Sequence, residues 1–139
     1  MPYNIIDAGA YLDNRVKAGT ISREDADLIH EFCEERKAMK HVTESTALVT
    51  SKGLTQFAIL IAPFKECSTQ DIIKGINIVE KKWKQNVRRL RIYYLKEFAH
   101  WLIIEGYNTK INITKLGSVN LLMDGDVFLK KKNIHPMPS

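Results

Sequence analysis

The segment from Asn86 to Glu105 restricts the fold more than any other part of the sequence. Apolar residues recur in it every three or four positions, as Leu90, Tyr94, Phe98, Trp101 and Leu102. This spacing is typical of an amphipathic helix that buries one stripe of its surface. Gly106 stands where a C′ glycine ends a helix. We therefore expect a long helix over this segment, with Tyr94 in the core.

Two helices are predicted in the N-terminal part of the chain. Residues 5–18 carry apolar side chains at loosely helical spacing, and Gly19 is placed to end that helix. Ser22 begins a capping-box variant and is followed by acidic residues whose charges favour the positive end of a helix. The sequence therefore predicts a second helix over residues 23–39.

Two further helices have their own start and stop signals. Thr43 or Ser45 can cap a helix that Pro63 stops. Gly53 weakens the middle of that helix by about 1 kcal/mol relative to alanine. The tetrapeptide Ser68-Thr69-Gln70-Asp71 is a second capping-box signature. It predicts a short helix before the basic segment.

The kind of periodicity present indicates the fold class. No convincing run of alternating apolar and polar residues occurs, and no internal repeat is visible. Residues 112–122 fit one more short helix, although the branched Ile111, Ile113 and Val119 also fit a strand. A length of 139 residues corresponds to one domain, and 45% apolar residues suffice for a packed core. We predict an all-α fold, a bundle of four to five helices.

Membrane insertion, export and disulfide bonding are not expected from this sequence. Its apolar stretches fall far short of the roughly 18 residues that a membrane span requires. The N-terminus lacks a basic region followed by an apolar stretch and a cleavage site. Cys33 and Cys67 are distant from each other, which is typical of two reduced thiols. We expect a cytoplasmic protein.

Charge is distributed unevenly along the chain. The net charge is +5, but residues 1–70 hold 8 basic and 10 acidic side chains, whereas residues 71–139 hold 13 and 6. This excess predicts that a polyanion binds to the second half. The strongest local signal is residues 81–96, which contain seven cations and no acid: Lys81, Lys82, Lys84, Arg88, Arg89, Arg91 and Lys96.

A basic helix face can also be a solvated surface without a partner. Faces kept for solubility usually mix both signs, because Glu and Lys four residues apart stabilise a helix by roughly 0.2–0.5 kcal/mol. No acid stands between Glu80 and Glu97. The missing acids therefore favour a nucleic-acid-binding surface.

The basic segment predicts specific contacts with DNA. Gln85 and Asn86 would lie at a helix N-terminus, where amides and a positive partial charge favour phosphate. Helical spacing places Arg88 and Arg91 together, away from the predicted apolar stripe. We expect Arg88, Arg89 and Arg91 to meet DNA, the first one or two at base edges in the major groove and the rest at phosphates.

Catalytic motifs are missing from the sequence. It contains no GxGxxG, GxxxxGK[ST], GxSxG or HExxH. His30 and Cys33 share one helix face, but a zinc site would need two more ligands and no good set is offered. The acidic side chains of the second helix fit a solvated face. We expect no enzyme activity, no cofactor, no metal site and no small-molecule substrate.

A known helical module matches the order of these segments. Residues 84–107 contain a Leu-x-x-Phe-x-x-Trp-Leu pattern at positions 95–102, and capped helical segments precede it at residues 22–40, 43–62 and 68–73. This order resembles the SAM-like core-binding domain of tyrosine recombinases, the phage integrase family, and is most similar to archaeal integrases. The resemblance implies SAM-like orthogonal packing of the helices.

The resemblance also implies a role in DNA integration and recombination. It implies that the second core helix enters a major groove. The following side chains of that helix would then lie in range of DNA: Ser45, Thr46, Thr50, Lys52 and Gln56. Val87 stands where the family often has threonine, so a hydroxyl contact to phosphate is not implied there. The family's catalytic tyrosine, arginines and histidine or lysine belong to a separate domain that nothing in this sequence matches.

The implied organisation has three parts. An N-terminal helix or arm spans residues 1–19, the core-binding domain spans 20–122, and a basic, proline-containing linker at 123–139 leads toward an absent catalytic domain. Double-stranded DNA is the expected partner, with self-association on DNA. Two alternatives stay open: a helical protein-interaction module whose basic face meets an acidic partner, and a complete small DNA-binding regulator.

Overall fold

The described chain is a bundle of α-helices. A computed structural model of the protein describes residues 7–61 and 63–118. Within them lie six helices: α1 (Ala8–Lys17), α2 (Arg23–Lys40), α3 (Glu44–Leu60), α4 (Thr69–Lys82), α5 (Gln85–Ile104) and α6 (Ile113–Ser118). This confirms the predicted all-α class, with one helix more than expected. The end of the helix predicted over 112–122 and the predicted linker lie outside the described residues.

Side-chain caps begin three of the helices where the sequence predicted them. Ser22 Oγ accepts a hydrogen bond from the backbone amide at the third position of α2, and Thr43 Oγ1 does the same for α3. Ser68 and Asp71 form the complete capping box at the start of α4. Because each cap satisfies an amide that lacks a partner within its helix, these boundaries could be predicted locally.

The N-terminal helix is part of the main core. Ala8 and Leu12 of α1 are 1% exposed and pack with the buried residues of the other helices. The amide of Ala8 donates to Glu44 Oε2 at 2.8 Å, while Lys37 Nζ donates to Glu44 Oε1 at 2.7 Å. Glu44 therefore links α1 and α2 to the first turn of α3.

Aromatic rings occupy the centre of the bundle. Phe98 contacts Phe64 with ring centroids 4.7 Å apart and Phe32 with centroids 5.2 Å apart, both edge to face. The ring centroids of Trp101 and Phe32 lie 5.5 Å apart, and Trp101 donates its indole N–H to Glu35 Oε1 at 3.0 Å. These contacts hold α2 and α5 together, as the predicted burial of Phe98 and Trp101 required.

The predicted buried stripe of α5 is wrong in its first half. Leu90 is 44% exposed and Tyr94 is only half-buried, whereas Ile92 and Leu95 are each 1% exposed. The buried positions continue to Phe98, so one helical face is covered without a break. Both stripes have helical spacing, and only the packing of α5 against α3 and α4 selects between them.

Asp25 is another departure from the expected solvated acidic face of α2. It is 6% exposed, and its Oδ1 accepts the amide of Phe64 at 3.0 Å. Burial raises the pKa of this carboxyl group above its usual value. Asp25 therefore joins α2 to the chain that follows α3.

Asn108 joins two connecting segments in the core. Its Nδ2 donates to the carbonyls of Phe64 and Cys67 at 2.8 and 2.9 Å. Its Oδ1 accepts the amides of Lys110 and Ile111 at 2.7 and 3.1 Å. One buried side chain thus satisfies four backbone groups that lie outside any helix.

Candidate nucleic-acid interface

A sharp corner between α4 and α5 presents the centre of the basic segment. Trp83 and Lys84 form the whole connection, and both have extended backbone angles. The Trp83 ring packs edge to face on Phe57 of α3, with centroids 5.7 Å apart. The aromatic side chain therefore anchors the corner, while the lysines around it stay on the outside.

Exposed polar and basic groups surround this corner. In order along the chain they are Lys81, Lys82, Lys84, Gln85 and Asn86. Lys84 is the N-cap residue of α5, and its side chain forms no hydrogen bond to the first turn of the helix. Five of the predicted site residues are therefore brought together, at a helix end whose partial charge is positive.

Arg88 lies partly inside the fold. Its side chain is half-buried, and its Nη1 donates to the carbonyl of Glu80 in α4 at 2.9 Å. Its Nε is buried and has no hydrogen-bond partner among the described residues. The predicted separation of Arg88 from the core is therefore wrong, because Arg88 precedes Ile92 on the buried face of α5.

Arg91 is also engaged by the fold. Its Cζ lies 4.3 Å from the centroid of the Trp83 ring, a cation–π contact. Its stem runs over α3 so closely that a Cβ at Gly53 would lie 3.1 Å from Arg91 Cγ. Burial lowers the pKa of the Arg91 guanidinium. Because Gly53 has no side chain, the stem of Arg91 fits between α3 and α5.

The remaining predicted cations of α5 lie farther along the helix. Arg89 and Lys96 are half-buried. Lys96 follows Lys84 by twelve positions, which is about 18 Å along a helix axis. Lys96 therefore does not join the cluster at the corner.

The predicted site residues of α3 have different surroundings, and Ser45 and Gln56 are exposed, whereas Thr46, Thr50 and Lys52 differ from one another. Thr50 is 2% exposed, and its Oγ1 donates to the carbonyl of Thr46 at 2.8 Å, so its hydroxyl is already used within the helix. Thr46 is half-buried at the start of α3. Lys52 is exposed, with Nζ 5.9 Å from the ring centroid of Tyr11 in α1. Of the three, Lys52 presents its charge to solvent.

Two residues at this surface were not predicted. Tyr11 and Arg15 stand four positions apart in α1, and Arg15 Cζ lies 5.8 Å from the Tyr11 ring centroid. The spacing of these two residues was visible in the sequence. Their nearness to Lys52 was not, because it depends on how α1 packs on α3.

Ion pairing divides the cations of the protein into two sets. Within residues 7–61 and 63–118, the following cations have a carboxylate within 4.0 Å: Arg23, Arg36, Lys37, Lys40, Lys65 and Lys110. Most of their acids belong to α2 or face it. In the same part of the chain no carboxylate lies within 4.0 Å of Arg15, Lys17, Lys52, Lys74, Lys81, Lys82, Lys84, Arg88, Arg91 or Lys96. Half of these cations lie at the α4–α5 corner: Lys81, Lys82, Lys84, Arg88 and Arg91.

Other types of site receive no support from the described residues. They contain no group of three or more His, Cys, Asp or Glu side chains that could hold a metal ion. Cys33 is buried in the core, and its Sγ lies 3.5 Å from Ser51 Oγ. None of the helices in residues 7–61 and 63–118 has the length and hydropathy of a membrane span.

A shallow groove between α2 and α5 holds a different set of groups. Phe32 and Trp101 form its floor, and Met39 and Ile104 are exposed at its edges. Its charged groups are engaged with one another: Glu97 Oε1 lies 3.2 Å from Arg36 Nη1. The groove lacks the excess of positive charge found at the corner.

The chain matches no protein-family model, no curated protein and no solved structure.

Proposed function

We propose that this domain binds duplex DNA, chiefly through the sugar-phosphate backbone, at the α4–α5 corner. The observation that carries the proposal is the separation of the cations into an ion-paired set and a set without carboxylates. A cation already paired with a carboxylate has little to gain from a phosphate. A cation without one releases condensed counterions from DNA when it binds.

The corner offers two kinds of phosphate ligand. Lys81, Lys82 and Lys84 supply mobile point charges that can follow a backbone of any sequence. The start of α5 at Gln85 and Asn86 adds main-chain amides and the positive end of the helix. Together they suit contacts that position DNA and do not depend on base sequence.

This proposal gives Arg88 and Arg91 a different role from the direct DNA contact that the sequence predicted. Arg88 and Arg91 hold α4, α5 and α3 in register, so they act as positioning residues for the lysines. The contact of Arg89 with DNA stays a prediction. Base reading by Arg88 is not part of the proposal, because its guanidinium donates to Glu80.

We further propose that the DNA is bound as part of site-specific recombination by a tyrosine recombinase of the phage integrase family. The support is the resemblance, which covers about residues 20–116, and the order of helices α2 to α5, which is the order of the capped segments on which the resemblance rests. In this role the domain would hold one face of the duplex during integration. The proposal assigns no strand cleavage to residues of this chain.

Fluorescence anisotropy of a labelled duplex of mixed sequence, roughly 25 base pairs long, tests the DNA proposal. The dissociation constant is measured between about 50 and 300 mM salt for the unmodified chain and for the Lys81→Ala, Lys82→Ala, Lys84→Ala variant. The matched control is Arg23→Ala, Lys65→Ala, Lys110→Ala, which removes the same charge from ion-paired positions.

We expect a steep fall of affinity with salt in the unmodified chain and in the control. In the lysine variant the slope of log K against log salt should fall by about 0.9 for each phosphate that is no longer neutralised. A flat salt dependence in the unmodified chain, or equal decreases of the slope in both variants, would overturn the proposal.

A protein partner is the second candidate function. The exposed carboxylates of α2, which include Glu24, Asp27, Glu31 and Glu34, form a surface opposite in sign to the corner. Contact between the corner of one copy and α2 of another would bring opposite charges together, in competition with the ion pairs that Glu24, Asp27 and Glu34 already form. Sedimentation velocity with and without nuclease treatment separates the candidates, because a protein complex survives digestion of nucleic acid.

A further inference from the structure

Three helices place cations close together beside the proposed DNA surface. Arg15 of α1 and Lys52 of α3 lie 5.8 and 5.9 Å from the centroid of the Tyr11 ring. Arg91 of α5 passes directly over Gly53, the neighbour of Lys52. The α1–α3–α5 cluster consists of Tyr11, Arg15, Lys52 and Arg91.

The cluster has donors that the fold does not use. Arg15 Nε is buried and has no hydrogen-bond partner among the described residues. No carboxylate in residues 7–61 and 63–118 pairs with any of its three cations. A buried guanidinium N–H without an acceptor is unfavourable. If the Arg15 side chain turns outward, a phosphate oxygen can accept from its Nε and remove that cost.

A comparable arrangement elsewhere in the molecule shows what is unusual here. Lys65 lies 5.4 Å from the centroid of the Tyr107 ring. Its Nζ also lies 3.3 Å from Glu24 Oε2, and the Tyr107 hydroxyl donates to Glu31 at 2.9 Å. Carboxylates from α2 therefore neutralise that cation and bind that tyrosine. The α1–α3–α5 cluster has three cations and, among the described residues, no such acid.

We propose that the α1–α3–α5 cluster binds a second backbone phosphate of the same DNA duplex. This inference rests on the proposed function, and it extends the interface from the α4–α5 corner to α1. Arg91 connects the two places, because its stem lies over Gly53, next to Lys52, while its guanidinium lies on Trp83 of the corner. Arg15 and Lys52 supply the charge, and the Tyr11 hydroxyl supplies a further donor.

The test compares two double variants with the same decrease in charge. Arg15→Gln, Lys52→Gln removes two cations of the cluster. Lys65→Gln, Lys110→Gln removes two cations that already have carboxylate partners. Both are titrated with the same mixed-sequence duplex over the same salt range, after urea denaturation has shown that each variant folds.

We expect the affinity of the cluster variant to fall on the order of tenfold at about 0.1 M salt, with a slope lower by about 0.9 for the one phosphate that is no longer neutralised. The control should keep the slope of the unmodified chain. In ¹⁵N spectra of the unmodified chain, the Arg15 Nε–H signal should shift when duplex is added.

The outcomes separate the two proposals. If the unmodified chain binds DNA with a steep slope but the cluster variant keeps that slope, the phosphate site is overturned and the proposed function stands. If the unmodified chain shows no salt-dependent binding, the proposed function is overturned and the site falls with it. An Arg15 signal that does not move in saturated DNA also overturns the site.

Discussion

The guanidinium of Arg91 lies over the indole of Trp83, with its Cζ 4.3 Å from the ring centroid. Phe57 meets the same indole edge to face. Trp83 is thus held by an aromatic ring of α3 and by a cation of α5. These contacts fix the direction in which α5 leaves the corner, and so where its first turn presents its amides.

Gly53→Ala should have opposite effects with and without Arg91. In the unmodified chain the new Cβ would lie 3.1 Å from Arg91 Cγ, so the arginine stem must shift and its contact with Trp83 weakens. In an Arg91→Ala background that obstacle is removed, and alanine should stabilise α3 by up to about 1 kcal/mol. Urea denaturation of the four chains in this double-mutant cycle measures the coupling. Equal effects in both backgrounds would contradict the close approach.

Arg88→Ala and Lys84→Ala should differ in what they change. Arg88→Ala removes the hydrogen bond from the guanidinium to the backbone carbonyl of Glu80 and should lower the free energy of unfolding by about 1–3 kcal/mol. Lys84→Ala removes an exposed charge and should leave stability within about 0.5 kcal/mol. Its effect should instead appear in the salt dependence of DNA binding. Urea denaturation and anisotropy on both variants check this contrast, which a destabilised Lys84→Ala variant would refute.

Asn108→Ala should be among the more destabilising single substitutions in the protein. It leaves the carbonyls of Phe64 and Cys67 and two backbone amides without their partner. Each buried unsatisfied group costs about 1–3 kcal/mol, so we expect the free energy of unfolding to fall by at least about 2 kcal/mol. Thr109→Ala, at an exposed neighbouring position, serves as the control. Thermal unfolding followed by circular dichroism gives the difference.

Glu44 should contribute stability that depends on pH. The amide of Ala8 and then the ammonium of Lys37 lower the pKa of its carboxyl group below the ordinary value of 4.5. A carboxyl with a lowered folded-state pKa stabilises the protein above its unfolded-state pKa, and this contribution is lost as pH falls through the folded-state pKa. The advantage of the unmodified chain over Glu44→Gln should therefore be full at about pH 7 and shrink below about pH 4.5. Urea denaturation across this range measures it, and a difference that grows on acidification would contradict the assignment.

Local chemistry explains why the helices could be predicted. Ser22, Thr43 and Ser68 cap helix ends within three residues of themselves, and Gly19 and Gly106 end helices with φ of 77° and 81°. These interactions involve neighbours in the sequence only. Pattern alone therefore locates most helix boundaries.

The parts that could not be predicted depend on packing between helices. Leu90 and Leu95 both fit a helical stripe, and only contacts with α3 and α4 bury the second of them. Asp25 is surrounded by charges in sequence but faces Phe64 in space. The number of cations near the α4–α5 corner was predictable, whereas the use of Arg88 and Arg91 as structural supports was not.

The indole of Trp83 has a further consequence for how a ligand would be met. Because Phe57 and Arg91 already immobilise it, the two-residue connection beside it has little conformational entropy left to lose. Residues 83 and 84 are therefore already ordered by folding. A partner that binds here does not have to order them again, so binding loses less conformational entropy.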